Sequence, residues 1–259
     1  MRNITLLLSL FSVLQCTAQS AFFTTADSVK IAYTDEGKGI AVLLIHGFIN
    51  SGSSWDKTVL KKELLANGYR VIVPDLRGNG LSDKPQTKKG YAKDVEVHDM
   101  KALADYLKLK QYMAVGYSRG SIVLAKLLTV DKRIVKGVLG GMGIDFSDPN
   151  WERRKMFAAA FNGKTTPETQ GAVDYARSIG ADLRSLYLQQ EYQPVTLKEE
   201  LGTITAQTLI ISGDLDTDNG DPGELQRAIP KSGLQIVAGD HNGTYKTEAF
   251  SKRIISFLE

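Results

Sequence analysis

Six short runs rich in apolar residues recur along the chain: Ile40–Ile45, Val71–Val73, Met113–Val115, Val135–Leu139, Thr208–Ile211 and Gln235–Val237. Runs of this length with no polar alternation read as strands covered on both faces. Between them lie segments with apolar residues at helical spacing. Trp55–Ala66 is one. Asp99–Leu109 is another, with Met100, Leu103 and Leu107 on one stripe. Strand and helix signals in alternation predict an α/β fold: a mostly parallel central sheet with helices on both faces. Ahead of the first run, Phe22–Thr25 and Val29–Thr34 read as a short hairpin that turns at Asp27.

One stretch breaks the alternation. From Ile144 to Ala206 there is no strand signal, only helix starts. Asp148-Pro149 and Thr166-Pro167 each place a capping residue before a first-turn proline. Thr196 with Glu199 has the spacing of a capping box. A helical stretch between two buried strands predicts an inserted cap. The expected organisation is a core in two parts, 19–143 and 207–259, with the cap at 144–206 between them. At 259 residues the chain is within the range of about 250 that a single α/β domain reaches. No linker-like tract divides it.

Residues 1–18 read as an export signal. Arg2 precedes an apolar stretch from Ile4 to Leu14, which ends in small residues around Cys16, Thr17 and Ala18. The stretch is shorter than the ~20 residues a bilayer-spanning helix needs. Cleavage after Ala18 would leave Gln19 as the N-terminus and place the protein outside the cytoplasm. Lipid attachment at Cys16 is the second reading. It is weakened by Gln15, where lipoprotein signals usually carry a small residue. Cys16 is the only cysteine. Cleavage after Ala18 therefore excludes thiol catalysis, disulfide frameworks and cysteine-ligated metals from the mature chain. With 32 basic and 29 acidic residues, the charge is too balanced to imply a nucleic-acid partner.

The chemistry begins at Gly116-Tyr117-Ser118-Arg119-Gly120, directly after one buried run and directly before the helical run Ile122–Leu128. A serine on a sharp strand-to-helix turn stands clear of the sheet, where its hydroxyl is free to act as a nucleophile. His46-Gly47-Phe48 closes the Ile40–Ile45 run. The backbone N–H groups of Phe48 and Arg119 are candidate donors of an oxyanion hole, while the His46 side chain is expected to pin its loop.

These residues, together with Pro74-Asp75-Leu76-Arg77-Gly78-Asn79-Gly80-Leu81-Ser82, resemble the α/β-hydrolase family in its cap-bearing branch. The resemblance covers the chain from about Phe22 to Leu258. It is specific for fold and much less so for substrate. A serine nucleophile needs a base, and the chain has three histidines: His46, His98 and His241. His46 belongs to the oxyanion loop, and His98 starts a predicted helix. His241 follows the last strand and precedes the helix Thr247–Leu258, where members of the family carry their catalytic histidine. For the acid, the resemblance points three residues beyond Gly213 to Asp216. Asp214 and Asp145 are the alternatives. Asp214, Asp216 and Asp218 also have the spacing of a calcium loop. The glycine falls one place late, at Gly220, and Leu225 stands where a bidentate glutamate is required.

The expected activity is hydrolysis of a small carboxylic ester through Ser118, His241 and Asp216, with no cofactor and no metal. Rival expectations are lactone, amide or carbon–carbon hydrolysis, or perhydrolysis, on the same residues. A non-catalytic binding protein on the same fold is a further rival.

Overall fold

The computed structural model describes residues 19–259. The expected export signal, with Cys16, lies outside the described residues. The chain forms strands β1 (Ala21–Thr24), β2 (Lys30–Glu36), β3 (Ala41–Ile45), β4 (Arg70–Pro74), β5 (Tyr112–Tyr117), β6 (Ile134–Gly140), β7 (Gln207–Gly213) and β8 (Ser232–Val237). They make one sheet in the order β1-β2-β4-β3-β5-β6-β7-β8. The β1/β2 and β2/β4 pairs are antiparallel, and every other pair is parallel. The predicted hairpin is the β1/β2 pair, with Thr24 opposite Lys30.

Side chains on successive strand residues point to opposite faces, and both faces of this sheet are covered. Leu43 and Ile45 of β3 enter one core, packed by α2 (Val95–Tyr106), α3 (Arg119–Val130) and α8 (Pro222–Ala228). Val42 and Leu44 enter the other, packed by α1 (Val59–Ala66) and α9 (Glu248–Leu258). This explains why the β3 run shows no alternation: there is no wet face to mark. The expected fold class is what the chain adopts.

Between β6 and β7 the chain forms α4 (Glu152–Phe161), α5 (Pro167–Ser178), α6 (Leu183–Glu191) and α7 (Lys198–Leu201). The first three build a small core of their own, in which Phe161, Val173 and Leu186 close over Ile49 and Phe48 of the loop after β3. Thr166 caps α5 as expected, its backbone N–H bonded to Thr169 Oγ1 at 2.9 Å. Other boundaries moved. Asp148-Pro149 does not start a helix, because α4 begins only at Glu152, after a 3-10 turn at Ile144–Ser147. The box expected at Thr196 and Glu199 lies one residue later and is half a box. Glu200 accepts from the Leu197 N–H at 2.9 Å, and a leucine has no side-chain oxygen to return the bond. Trp55–Ala66 is split at Thr58, which ends a 3-10 turn and caps α1. α2 starts four residues before Asp99. α8, capped by Asp221, carried no periodic signal in so short a segment. Among the described residues, no helix is long and apolar enough to cross a membrane.

Candidate active site

Ser118 stands alone between the end of β5 and the start of α3, with φ 53° and ψ −126°. Non-glycine residues seldom adopt such a conformation. The turn closes so tightly that a β-carbon on Gly116 or Gly120 would collide with backbone, at the Gly120 carbonyl and the Ile45 carbonyl respectively. Only glycine fits at either place. The Ser118 N–H is held by the Gly140 carbonyl of β6 at 2.8 Å.

His241 arrives from the loop between β8 and α9. Its Nε2 lies 2.9 Å from Ser118 Oγ, and its Nδ1 lies 2.8 Å from Asp216 Oδ2. An ionised carboxylate only accepts, so Nδ1 carries the proton and Nε2 is left to accept from the serine hydroxyl. Asn219 Nδ2 donates to the other Asp216 oxygen at 3.2 Å, which holds the carboxylate plane. Tyr117 donates its hydroxyl to the His241 carbonyl at 2.7 Å, and its ring lies 5.5 Å from the imidazole. Burial pushes the Tyr117 phenol well above its ordinary range, so it remains a donor. Neither Asn219 nor Tyr117 was singled out from the sequence. Tyr117 is an unspecified position of the serine motif, and Asn219 sits in a loop rich in carboxylates, any of which has the chemistry of a triad acid.

The alternative acids are elsewhere. Asp214 accepts from the Gly239 N–H at 2.9 Å and so ties the two loops together. Asp145 lies in the 3-10 turn after β6, against Gly220. Asp218 is 3.7 Å from Arg153. The three aspartates with calcium-loop spacing thus face three different partners.

His46 is fully buried, with Nδ1 bonded to the Gly47 carbonyl at 2.8 Å and Nε2 accepting from the Leu76 N–H at 3.0 Å. Burial lowers its pKa. It pins the loop that carries Phe48, as expected. That loop runs beside the serine: the place of a β-carbon on Gly47 is 3.3 Å from Ser118 Cβ. The Arg119 N–H, the first of α3, has no carbonyl within the helix to meet. The Arg119 side chain turns inward, with Nη1 3.0 Å from Glu96 Oε1, Nη2 on Glu96 Oε2, and Nη2 3.0 Å from the Gln189 carbonyl of α6. His98 is exposed on α2.

A cavity of about 530 Å3 opens onto Ser118 and His241, walled by Phe48, Trp55, Tyr117 and Tyr245. Among the described residues no cluster of three or more histidine, cysteine, aspartate or glutamate side chains is placed to hold a metal ion.

Comparison with known proteins places the chain in a family. A family model described as the alpha/beta hydrolase fold matches residues 40–150. A Synechocystis sp. protein provisionally named a non-heme chloroperoxidase is 40% identical over 268 residues, 90% of this chain and 96% of that one. A non-heme haloperoxidase of Rhodococcus erythropolis is 34% identical over 275 residues, 92% of this chain and 99% of that one. Among solved structures, an esterase from Exiguobacterium antarcticum superposes with a TM-score of 0.73 at 24% identity, covering 93% of this chain and 99% of that one. A sheet of this order, a serine on this turn and likeness along nine-tenths of the length lead to one assignment: the chain belongs to the α/β-hydrolase family.

Proposed function

We propose that the protein is an exported serine hydrolase that cleaves a small carboxylic ester through an acyl-enzyme. The observation that carries this reading is the chain of contacts Ser118 Oγ–His241 Nε2, then His241 Nδ1–Asp216 Oδ2, at 2.9 and 2.8 Å. In the proposed cycle, His241 takes the hydroxyl proton as Ser118 attacks the acyl carbon. Asp216 fixes the tautomer and stabilises the imidazolium. The N–H groups of Phe48 and Arg119 hold the oxyanion. His241 returns the proton to the leaving alcohol, then activates a water that releases the acid and restores Ser118. The cap helices roof the pocket and take part in choosing the substrate. The export part of the reading rests on residues 1–18 alone.

A second reading draws on the two relatives named as haloperoxidases. The same acyl-enzyme can be discharged by hydrogen peroxide in place of water, giving a peroxyacid and free Ser118. Both readings require a reactive serine. A fluorophosphonate probe should label the protein at Ser118 and fail to label Ser118→Ala. Absence of labelling in the wild type overturns both. A panel of 4-nitrophenyl esters, with and without added peroxide, then separates water from peroxide as the acceptor.

A further inference from the structure

The cavity that opens onto Ser118 continues outward. It shares Ile49, Asn50, Ser54, Tyr175, Tyr245 and Lys246 with a second cavity of about 440 Å3, so the two form one groove. The inner half is aromatic, with Trp55, Tyr117 and Tyr245 on its wall. The outer half adds Lys57 and Lys84, and no carboxylate lines either half. That imbalance is local, since the chain carries 32 basic and 29 acidic residues. Two other hollows among the described residues do not share it. A smaller one on another side of Ser118, about 280 Å3, sets Asp218 among its arginines. One of about 450 Å3 near β2 is lined by Asp56 and Asp75.

Lys57 and Lys246 are exposed, and among the described residues neither is in an ion pair. Lys246 lies along the aromatic wall, its Nζ 5.2 Å from the Tyr245 ring centroid. Lys84 donates to the carbonyls of Gly80 and Ser82 at 2.7 and 3.0 Å, and the Asp182 carboxylate is among the charges it acts on. Like charges gathered on one rim with apolar walls beneath them focus the field into the groove and attract anions. Lysine ammoniums act as point charges, and so select for charge more than for a planar shape.

We propose that this groove selects esters with one arm that ends in a carboxylate. The reacting carbonyl sits at Ser118, the apolar chain runs along Trp55 and Tyr245, and the carboxylate meets Lys57 and Lys246 at the rim. The proposal rests on the hydrolase reading above and names its substrate class.

The test compares matched esters on the purified protein. One series places the anion on the acyl arm: mono-4-nitrophenyl esters of linear dicarboxylic acids, from adipate to sebacate, against 4-nitrophenyl esters of monocarboxylic acids of the same length. A second series places it on the alcohol arm: acetates of ω-hydroxycarboxylic acids against acetates of the corresponding alcohols, followed by acid release. In one series kcat/KM should favour the carboxylate-ended ester about tenfold at low ionic strength, the scale expected of two ammonium groups near the surface. The preference should fall towards unity as salt shortens the screening length. It should also fall towards unity in the double variant Lys57→Gln, Lys246→Gln, read as the ratio of charged to neutral ester on the same protein. Ready turnover of neutral esters with a ratio near one in both series overturns the proposal. So does a preference that neither salt nor the double variant reduces. No turnover on any ester, with no fluorophosphonate labelling, overturns the hydrolase reading itself, and this proposal with it.

Discussion

Replacing Ser118 by glycine should abolish esterase activity and yet give a more stable protein than replacing it by alanine. The reason is the backbone. Ser118 is held at φ 53° and ψ −126°, a region that costs a side-chain-bearing residue about 1–3 kcal/mol. Alanine keeps the β-carbon and so keeps the strain, whereas glycine removes both. Against this, glycine loses about 0.5–1 kcal/mol through the greater freedom of its unfolded chain. It also forgoes part of the ~0.8 kcal/mol a buried methyl group contributes, and only part, because the serine is half-buried. The hydrogen bond from Oγ to His241 is lost in both variants and cancels. The balance leaves Ser118→Gly ahead by about 1 kcal/mol, or roughly 2–4 °C in Tm for a chain of this size. Urea unfolding at neutral pH, with equal m-values checked, gives the difference directly, and calorimetry gives the Tm. If Ser118→Gly is no more stable than Ser118→Ala, the strain assigned to this turn is not stored there.

Four further outcomes are expected. Asp216→Asn should lower kcat by about 10³ to 10⁴, by analogy with the loss of the triad aspartate in serine proteases, while Asp214→Asn and Asp145→Asn cost far less; the ranking is read on one 4-nitrophenyl ester. Gly120→Ala should destabilise the protein by about 1–3 kcal/mol or prevent folding, because the new methyl meets the rigid Ile45 carbonyl; thermal melting decides it. The third concerns His46, whose pKa burial lowers from its usual 6.5. Below that pH the unfolded chain takes up a proton that the native state refuses. Stability is therefore lost as pH falls, by up to about 1.4 kcal/mol per unit. Asp99, pushed up by burial to about 6 against the pull of Arg77, acts with the opposite sign between 3.8 and 6. The readout is accordingly a difference: between pH 7 and 5 the wild type should lose more stability than His46→Gln, and parallel curves would exclude the effect. Fourth, mass spectrometry of the protein recovered from outside the cytoplasm should find an N-terminus at or within about two residues of Gln19. An acylated Cys16 would show a lipoprotein, and a retained Met1 would contradict export.

The parts of the molecule that depend on local chemistry were legible in the sequence. β3 reads as a buried strand because both its faces are covered, and Ser118 is visible because the elbow demands glycine on either side of it. His241 could be reached because few histidines compete for the role. Less legible was whatever depends on contacts between distant segments. α2 starts before Asp99 because Glu96 and Asp99, polar residues that break the apolar stripe in the sequence, are buried against arginines from other elements. Asp148-Pro149 has helix-start chemistry but is spent on a turn, with Asp148 accepting from the Asn150 N–H at 2.7 Å. Asp216 and Asp214 stand two residues apart with the same side chain. What separates them is which one the path of the loop brings to the imidazole and which to Gly239.

Arg119 shows how such long-range contacts bear on the site. The residue after Ser118 supplies a backbone N–H at the elbow, and its side chain reaches in two directions. Glu96 on α2 takes the guanidinium on both oxygens, and the Gln189 carbonyl on α6 takes one further bond at 3.0 Å. Gln189 in turn donates to the Arg77 carbonyl at 2.7 Å and to Asn79. All three side chains, Arg119, Glu96 and Gln189, are buried. A buried ion pair of this kind is a weak source of net stability, but removing one partner strands the other charge at a cost of about 3–5 kcal/mol. Its effect is therefore to fix geometry more than to add stability. The cap helix α6 is bonded to the residue that follows the serine and, through Gln189, to the loop after β4. A shift of α6 would break these bonds. The helices between β6 and β7 are thus tied, through the Arg119 side chain, to the turn that carries Ser118.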